Sequence, residues 1–280
     1  VLLLDEFVEI NSDTWSYEIG DGSDFNIPGW GNNELQCYTS DQRNLQILPN
    51  AEKPGDGMLQ ITSIPLTTPA ACVNSRAANT TTRWTSGKLT SKHKKAFKWS
   101  GAGGDNCTPI YIESRIKVPM VMGQWAAIWM MPEPQPGVDQ SPECSGPNSE
   151  CGAYGVWPRS GEIDIMEHIN KETSIGSTIH FAYPGGWHGW TGNKRDIGAA
   201  AIETWNVYLL EWHCRYLKFT VNGELVYEVT QEKHWGAQWV FDQPFYLILN
   251  LAVGGNLPGK AAVDWSQNGI MLVDYVRVYQ

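Results

Sequence analysis

Short alternating segments separated by turn residues run along almost the whole chain, and they constrain the fold more than any other feature. Tyr216–Val221 and residues 224–229 flank Asn222-Gly223, a dipeptide that supplies the positive φ values of a tight hairpin turn. Residues 58–62 follow the turn residues Gly55-Asp56-Gly57, and residues 110–118 read Ile-Tyr-Ile-Glu-Ser-Arg-Ile-Lys-Val. Further strands are expected at residues 176–183, 205–212, Phe245–Val253 and 270–279. The single helical hint is Ala-rich and short, at residues 197–202. Many short strands without a composition break or repeat point to an antiparallel sandwich. All-β sandwiches often reach 280 residues as one unit, so residues 1–280 are expected to form a single domain.

Within this pattern, Glu162-Ile163-Asp164-Ile165-Met166-Glu167 interleaves carboxylates with apolar side chains. In a strand, Glu162 and Asp164 share one face and Ile163 and Ile165 the other. Glu167 is out of phase unless one extra residue, with Met166 the candidate, forms a β-bulge that returns it to the acidic face. Crowding three acids raises at least one pKa. One protonated acid beside one ionised carboxylate is the pair that glycoside hydrolysis uses. A polar strand face or a calcium site is the alternative for the local pattern.

A formal charge of -10 argues against nucleic acid or an anionic membrane as partner. No apolar run reaches the roughly 18 residues of a membrane-spanning helix. Val1-Leu2-Leu3-Leu4 meets Asp5-Glu6 at once, so the chain is expected to start like a processed product. Its six cysteines, Cys37, Cys72, Cys107, Cys144, Cys151 and Cys214, contain no Cys-x-x-Cys pair. Together with sequons at Asn79 and Asn106, they favour a secreted, disulfide-bonded protein. Cys144 and Cys151 lie close in a Pro/Gly/Ser-rich stretch, residues 133–161, and are the expected bridge.

The 14 tryptophans easily support a core, and most of them being core is the alternative to any binding role. Tryptophan and tyrosine offer flat apolar faces with a polar tip, suited to sugar rings. Trp125 and Trp129 share a strand face with Ala127 between them. Trp157 precedes the acids, while Trp187 and Trp190 stand in a Gly-rich stretch read as a loop. Trp157 and Trp187 are expected to touch ligand, and Trp84, Trp205 and Trp212 to be core. His180 lies in a strand that neighbours the acids, where it is either structural or tunes their charge.

Taken together, these residues resemble glycoside hydrolase family 16 in its bulged form. The Glu162 to Glu167 run matches the family signature. Trp30-Gly31-Asn32-Asn33-Glu34-Leu35-Gln36-Cys37-Tyr38-Thr39 is similar to its N-terminal motif, with Cys37 where Tyr is common. Ser114 to Pro119, Gly123-Gln124-Trp125, Phe241 to Asn256 and Asp274 to Tyr279 resemble its middle and C-terminal strands. Leu257 departs from the Trp often found beside the Gly-Gly-Asn run.

The resemblance implies a β-jelly-roll sandwich of two antiparallel sheets with a concave substrate cleft. It implies a monomeric, secreted endo-β-1,3-glucanase of laminarinase type that acts with retention on glucan polysaccharide or oligosaccharide. Glu162 resembles the nucleophile, Glu167 the general acid/base, and Asp164 the residue that holds both. For substrate binding, the resemblance nominates Asn33, Glu113, Arg115, Trp125, Trp129, Trp157, Arg159, His180 and Asn250. It implies no catalytic cofactor, and a structural Ca2+ held by Glu6, the Gly57 carbonyl and Asp274. The rivals are a non-catalytic β-glucan recognition protein, a transglycosylase and a mixed-linkage or galactan hydrolase. Recognition relatives commonly lack one of the catalytic acids, and both are present here.

Overall fold

The structure is a computed structural model that describes residues 1–73, 81–104, 106–135, 144, 151–234, 236–259 and 263–280. The described residues form two large sheets, almost wholly antiparallel, on either side of a shared apolar core, the expected jelly-roll sandwich. One sheet runs in the order Glu224–Thr230, Tyr216–Val221, Asn206–Trp212, Ile110–Lys117, Gly269–Tyr279, Gly57–Ala71, Thr81–Ser86, Gln36–Tyr38. Its last pairing is parallel. The other, the cleft sheet, runs His188–Asp196, Ser174–Ala182, Glu162–Ile169, Gln124–Pro132, Phe245–Val253, Lys88–Thr90, Ser16–Tyr17.

Two-residue alternation explains why these segments are strands. In Ile110–Lys117, Ile110, Ile112, Ser114 and Ile116 are buried, while Tyr111, Glu113, Arg115 and Lys117 face outward. Phe245–Val253 is buried on both faces. Phe245, Leu247, Leu249 and Leu251 enter the core, and Tyr246, Ile248, Asn250 and Ala252 face the cleft beside Met131, Trp129, Ala127 and Trp125. Trp212 joins the layers: its ring meets Phe245 edge-on, centroids 5.5 Å apart, and its Nε1 donates to the Phe241 carbonyl at 2.9 Å. Burying one such side chain contributes about 1.5–3 kcal/mol.

The strand and hairpin expectations hold with small shifts of boundary, and the helix is one turn, Ala199–Ile202. The stretch read as a Gly-rich loop differs, because only its start is a turn and His188–Asp196 is an edge strand. Its closely packed positions are glycines rather than apolar residues. A Cβ on Gly189 would lie 2.6 Å from the Tyr183 ring, and one on Gly192 would lie 2.4 Å from the Ser177 carbonyl. Trp205 also differs, since it is only half-buried, under the Arg115 guanidinium at 4.8 Å. The cysteines pair as Cys37–Cys72, Cys107–Cys214 and the expected Cys144–Cys151. Asn106 is exposed, whereas Asn79 lies outside the described residues.

The outward face of the first sheet corrects two expectations. Glu113 and Arg115 stand there, across the core from the acids, and not in the cleft. Glu113 accepts from the hydroxyls of Tyr275 and Tyr279 at 2.9 and 3.1 Å. Arg115 donates to Asp274 at 2.7 Å and to Glu52 at 2.9 Å. A strand shows alternate side chains to both faces, and the buried isoleucines assign the odd-numbered set outward.

Nor do Glu6, Gly57 and Asp274 suit Ca2+. The buried Asp274 carboxylate already accepts from Asn50 Nδ2 at 2.6 Å, Lys53 Nζ at 3.1 Å and Arg115 Nη1 at 2.7 Å. Glu6 Oε1 accepts twice from Arg277, at 2.7 and 2.9 Å, and the Glu6 carbonyl accepts from the Gly57 amide. Two side-chain cations on Asp274 would repel a third. Burial alone would raise the Asp274 pKa, but Arg115 and Lys53 outweigh it and hold the carboxyl below its usual range.

Arg115→Ala is therefore expected to cost about 1–3 kcal/mol, lowering Tm by roughly 2–10 °C. Calorimetry tests this, and an unchanged Tm would remove Arg115 from the structural network. Exhaustive chelation is expected to leave Tm unchanged.

Candidate active site

The register of the Glu162–Ile169 strand builds the site. Against the Gln124–Pro132 strand, Met166 pairs with Ile128 and Asp164 with Trp129, leaving Ile165 without a partner. Against the Ser174–Ala182 strand, Asp164 pairs with Thr178 and Glu167 with Gly176. Ile165 and Met166 thus form the bulge together, and both are buried in the core. The alternation shifts by one and Glu167 turns to the same face as Glu162 and Asp164. Gly161 leads into the strand at φ 81°, where a Cβ would lie 2.8 Å from Val240.

Each acid has its own partners. Trp157 Nε1 donates to Glu162 Oε2 at 2.6 Å, and Trp125 Nε1 donates to Glu167 Oε1 at 3.0 Å. Thr178 Oγ1 reaches Glu167 Oε2 at 3.4 Å. Asp164, only 4% exposed, lies 3.2 Å from His180 Nε2. Burial first, then the charges of Glu162 and Glu167, push the Asp164 pKa well up. Burial also raises that of Glu167; Glu162 adds to this, and His180 and Trp125 only partly offset it. Burial disfavours charge on His180, but Glu162, Asp164 and Glu167 more than compensate and raise it to about 9. The site therefore sets two carboxyls pushed up by burial and by neighbouring charge, Asp164 and Glu167, beside an imidazole pushed up by the same acids.

Other expected residues gather around this row. Trp129 Nε1 donates to Asn250 Oδ1 at 2.7 Å, and Asn250 Nδ2 donates to Tyr38 Oη at 2.9 Å. Asn33 is held by its donation to Asn256 at 2.8 Å, in a loop beside Gly255, which packs against the Trp125 ring. The segment carrying Trp157 and Arg159 is pinned by Gln243, which accepts from Ala153 N–H at 2.6 Å and donates to the Ser160 carbonyl at 3.0 Å. Tyr154 adds a 2.6 Å donation to Asp242. The Arg159 guanidinium lies against Gly186, next to Trp187, which is 77% exposed at the hairpin turn. Glu113 and Arg115 are absent from this group.

Three residues around the site were not nominated for it from the sequence, although Trp190 was singled out within its Gly-rich stretch. Trp190, 64% exposed, is directly opposite His180 and so shares the cleft face. Lys88 is buried, 2.6 Å from Glu18 Oε2 and 3.8 Å over the Trp30 ring. It pairs in register with Asn250, but no sequence signal links two strands so far apart in the chain. His188 lies 2.8 Å from His180. A hairpin alignment of residues 174–196 would have found both Trp190 and His188.

Among the described residues, Glu162, Asp164 and His180 bring possible metal donors within 4.8 Å of one another. Cys107, His213 and Cys214 do the same, but those cysteines are spent in one disulfide.

A family model described as "Glycosyl hydrolases family 16" matches residues 74–277. The chain belongs to glycosyl hydrolase family 16. Within the family it is 32% identical, over 99% of its length, to "Glucan endo-1,3-beta-glucosidase A1" of Niallia circulans, covering 37% of that protein. It is 31% identical, again over 99% of its length, to "Clotting factor G alpha subunit" of Tachypleus tridentatus, covering 33% of it. The chain thus spans about a third of the length of these two curated relatives. The solved endo-beta-1,3-glucanase from Pyrococcus furiosus superposes with a TM-score of 0.76 at 33% identity, covering 100% of this chain and 94% of that one.

The raised His180 pKa gives this family 16 site a testable pH dependence. Because the folded value, about 9, lies above the ordinary 6.5, the stabilisation from charged His180 is complete below 6.5 and is lost as pH rises through 9. The Tm gap between the wild type and His180→Gln is expected to shrink over that window. A gap that stays constant would mean His180 is neutral in the fold.

Proposed function

We propose that this chain is an endo-acting β-1,3-glucanase that hydrolyses glucans such as laminarin with retention of configuration, through a covalent glycosyl-enzyme. The observation that carries this reading is the bulged strand, which presents Glu162 and Glu167 on one face with Asp164 between them. A retaining double displacement requires its two carboxyls about 5–5.5 Å apart, and the bulge supports it by setting both glutamates on one face. Membership of family 16 supports the same chemistry, and the printed names of the Niallia and Pyrococcus relatives support the β-1,3 linkage.

In the proposed cycle, Glu167 gives its proton to the glycosidic oxygen while Glu162 attacks the anomeric carbon. The bond to the leaving sugar breaks as the glycosyl–Glu162 ester forms. Glu167, now a carboxylate, takes a proton from water, whose oxygen displaces Glu162. Burial and the charge of Glu162 supply the protonated Glu167 that the first step needs. Trp157 and Trp125 aim the two carboxylates, and Asp164 with His180 moderates the charge between them. Trp129, Trp187, Trp190, Asn33, Arg159 and Asn250 would line the sugar path. Three disulfides support an extracellular setting.

The test is release of reducing ends from laminarin, beside lichenan and agarose, by the wild type, Glu162→Ser and Glu167→Ala. Laminarin is expected to be the preferred substrate, with kcat falling by about 10³-fold or more in either variant. Preference for lichenan or agarose would keep the mechanism and replace the substrate. Tight laminarin binding without hydrolysis would make the chain a β-glucan recognition protein instead.

A further inference from the structure

His188 closes a ring of contacts around the acids. His180 Nε2 lies 3.2 Å from Asp164, and His180 Nδ1 lies 2.8 Å from His188 Nε2. The two imidazoles stack at 5.1 Å with planes 16° apart. The other neighbour of His188 is Trp157, 4.6 Å away between ring centroids, and Trp157 is the donor to Glu162. The contacts run Glu162, Trp157, His188, His180, Asp164; Trp157 also meets His180 directly, at a longer 6.1 Å between ring centroids, so His188 makes the closer link between the two arms. It stands at the start of an edge strand, next to a turn with two positive-φ glycines, Gly185 and Gly186.

We propose that His188 is a positioning residue for the reaction: accepting from His180 and packing on Trp157, it holds the partners of Asp164 and Glu162 together. This rests on Glu162 and Glu167 being the catalytic pair.

The hydrogen bond fixes the protons. Between two imidazole nitrogens one must donate and the other accept. Charged His180 donates from both nitrogens, to Asp164 and to His188. His188 must then be neutral, with its proton on Nδ1. Burial, reinforced by the His180 charge, lowers the His188 pKa below 6.5 and favours that state. The charged groups around the pair are Glu162, Asp164 and Glu167 on the central strand and Arg159 against Gly186. When acid protonates His188, both imidazoles become donors and the contact opens. His188 thus couples the hairpin turn that carries Trp187 to the state of the acids.

The experiment compares His188→Ala, which removes the acceptor, with His188→Gln, whose amide oxygen can accept. Losing a hydrogen bond to a charged group is expected to lower kcat on laminarin by about tenfold in His188→Ala, with KM within about twofold. His188→Gln is expected to recover most of that loss. Nitrogen-15 NMR of the imidazoles needs no substrate, and the His180 midpoint, about 9 in the wild type, should fall in His188→Ala. Unchanged kcat in His188→Ala, equal loss in both variants, or an unmoved His180 midpoint would each overturn the proposal. A wild type inactive on laminarin would overturn the functional reading, leaving the imidazole titration to decide the contact separately.

Discussion

A strand shows its side chains with a period of two, and residues 162, 164 and 167 cannot obey it on one face. The bulge at Ile165 and Met166 resolves this by sending two consecutive apolar residues into the core. The apolar contacts of those two side chains oppose slippage of the register, since a shift of one residue would expose them and bury the acids. Packing of the core and presentation of the carboxylates are therefore one constraint. Gly161 before the strand and Gln243 beneath the preceding segment serve the same end, holding the entry to the strand in place.

Three acids on one face need a compensating charge, and His180 provides it from the neighbouring strand. Its partner Asp164 is almost fully buried, and burial with the charges of Glu162 and Glu167 pushes that carboxyl well up. Tryptophans supply the remaining donors: Trp125 and Trp157 each direct an indole N–H to a glutamate. An indole donor adds no formal charge, so it orients a carboxylate while neutralising it less than a cation would. This leaves the raised pKa of Glu167 in place. The same rings extend the apolar surface on which a sugar can stack.

The outward sheet solves its charge problem differently. Asp274, Glu6 and Glu113 are met by Lys53, Arg115, Arg277 and tyrosine hydroxyls, so the charged residues there largely pair with one another, with Glu6 Oε2 facing Lys53 only at 3.7 Å. Glu113 and Arg115 have the composition of a ligand site and the position of a structural network. Which of the two they are depends on the face they occupy, and alternation alone does not say which face of a strand overlies the cleft.

The sequence by itself determined most of the long strands, the hairpin at Asn222-Gly223, the sandwich class and the acidic row, because each is written in local period and turn chemistry. It also pointed to Trp125, Trp129 and His180 by their strand phase and to Trp157 by its place before the acids, while Asn250 came from the family resemblance. Only the tertiary structure decided which sheet carried Glu113 and Arg115, that side-chain cations occupy Asp274, that Trp190 and His188 belong beside His180, and that Lys88 lies beside Asn250. Those facts are set by strand order and register between segments distant in the chain, and a pattern read along one strand holds no information about its neighbour.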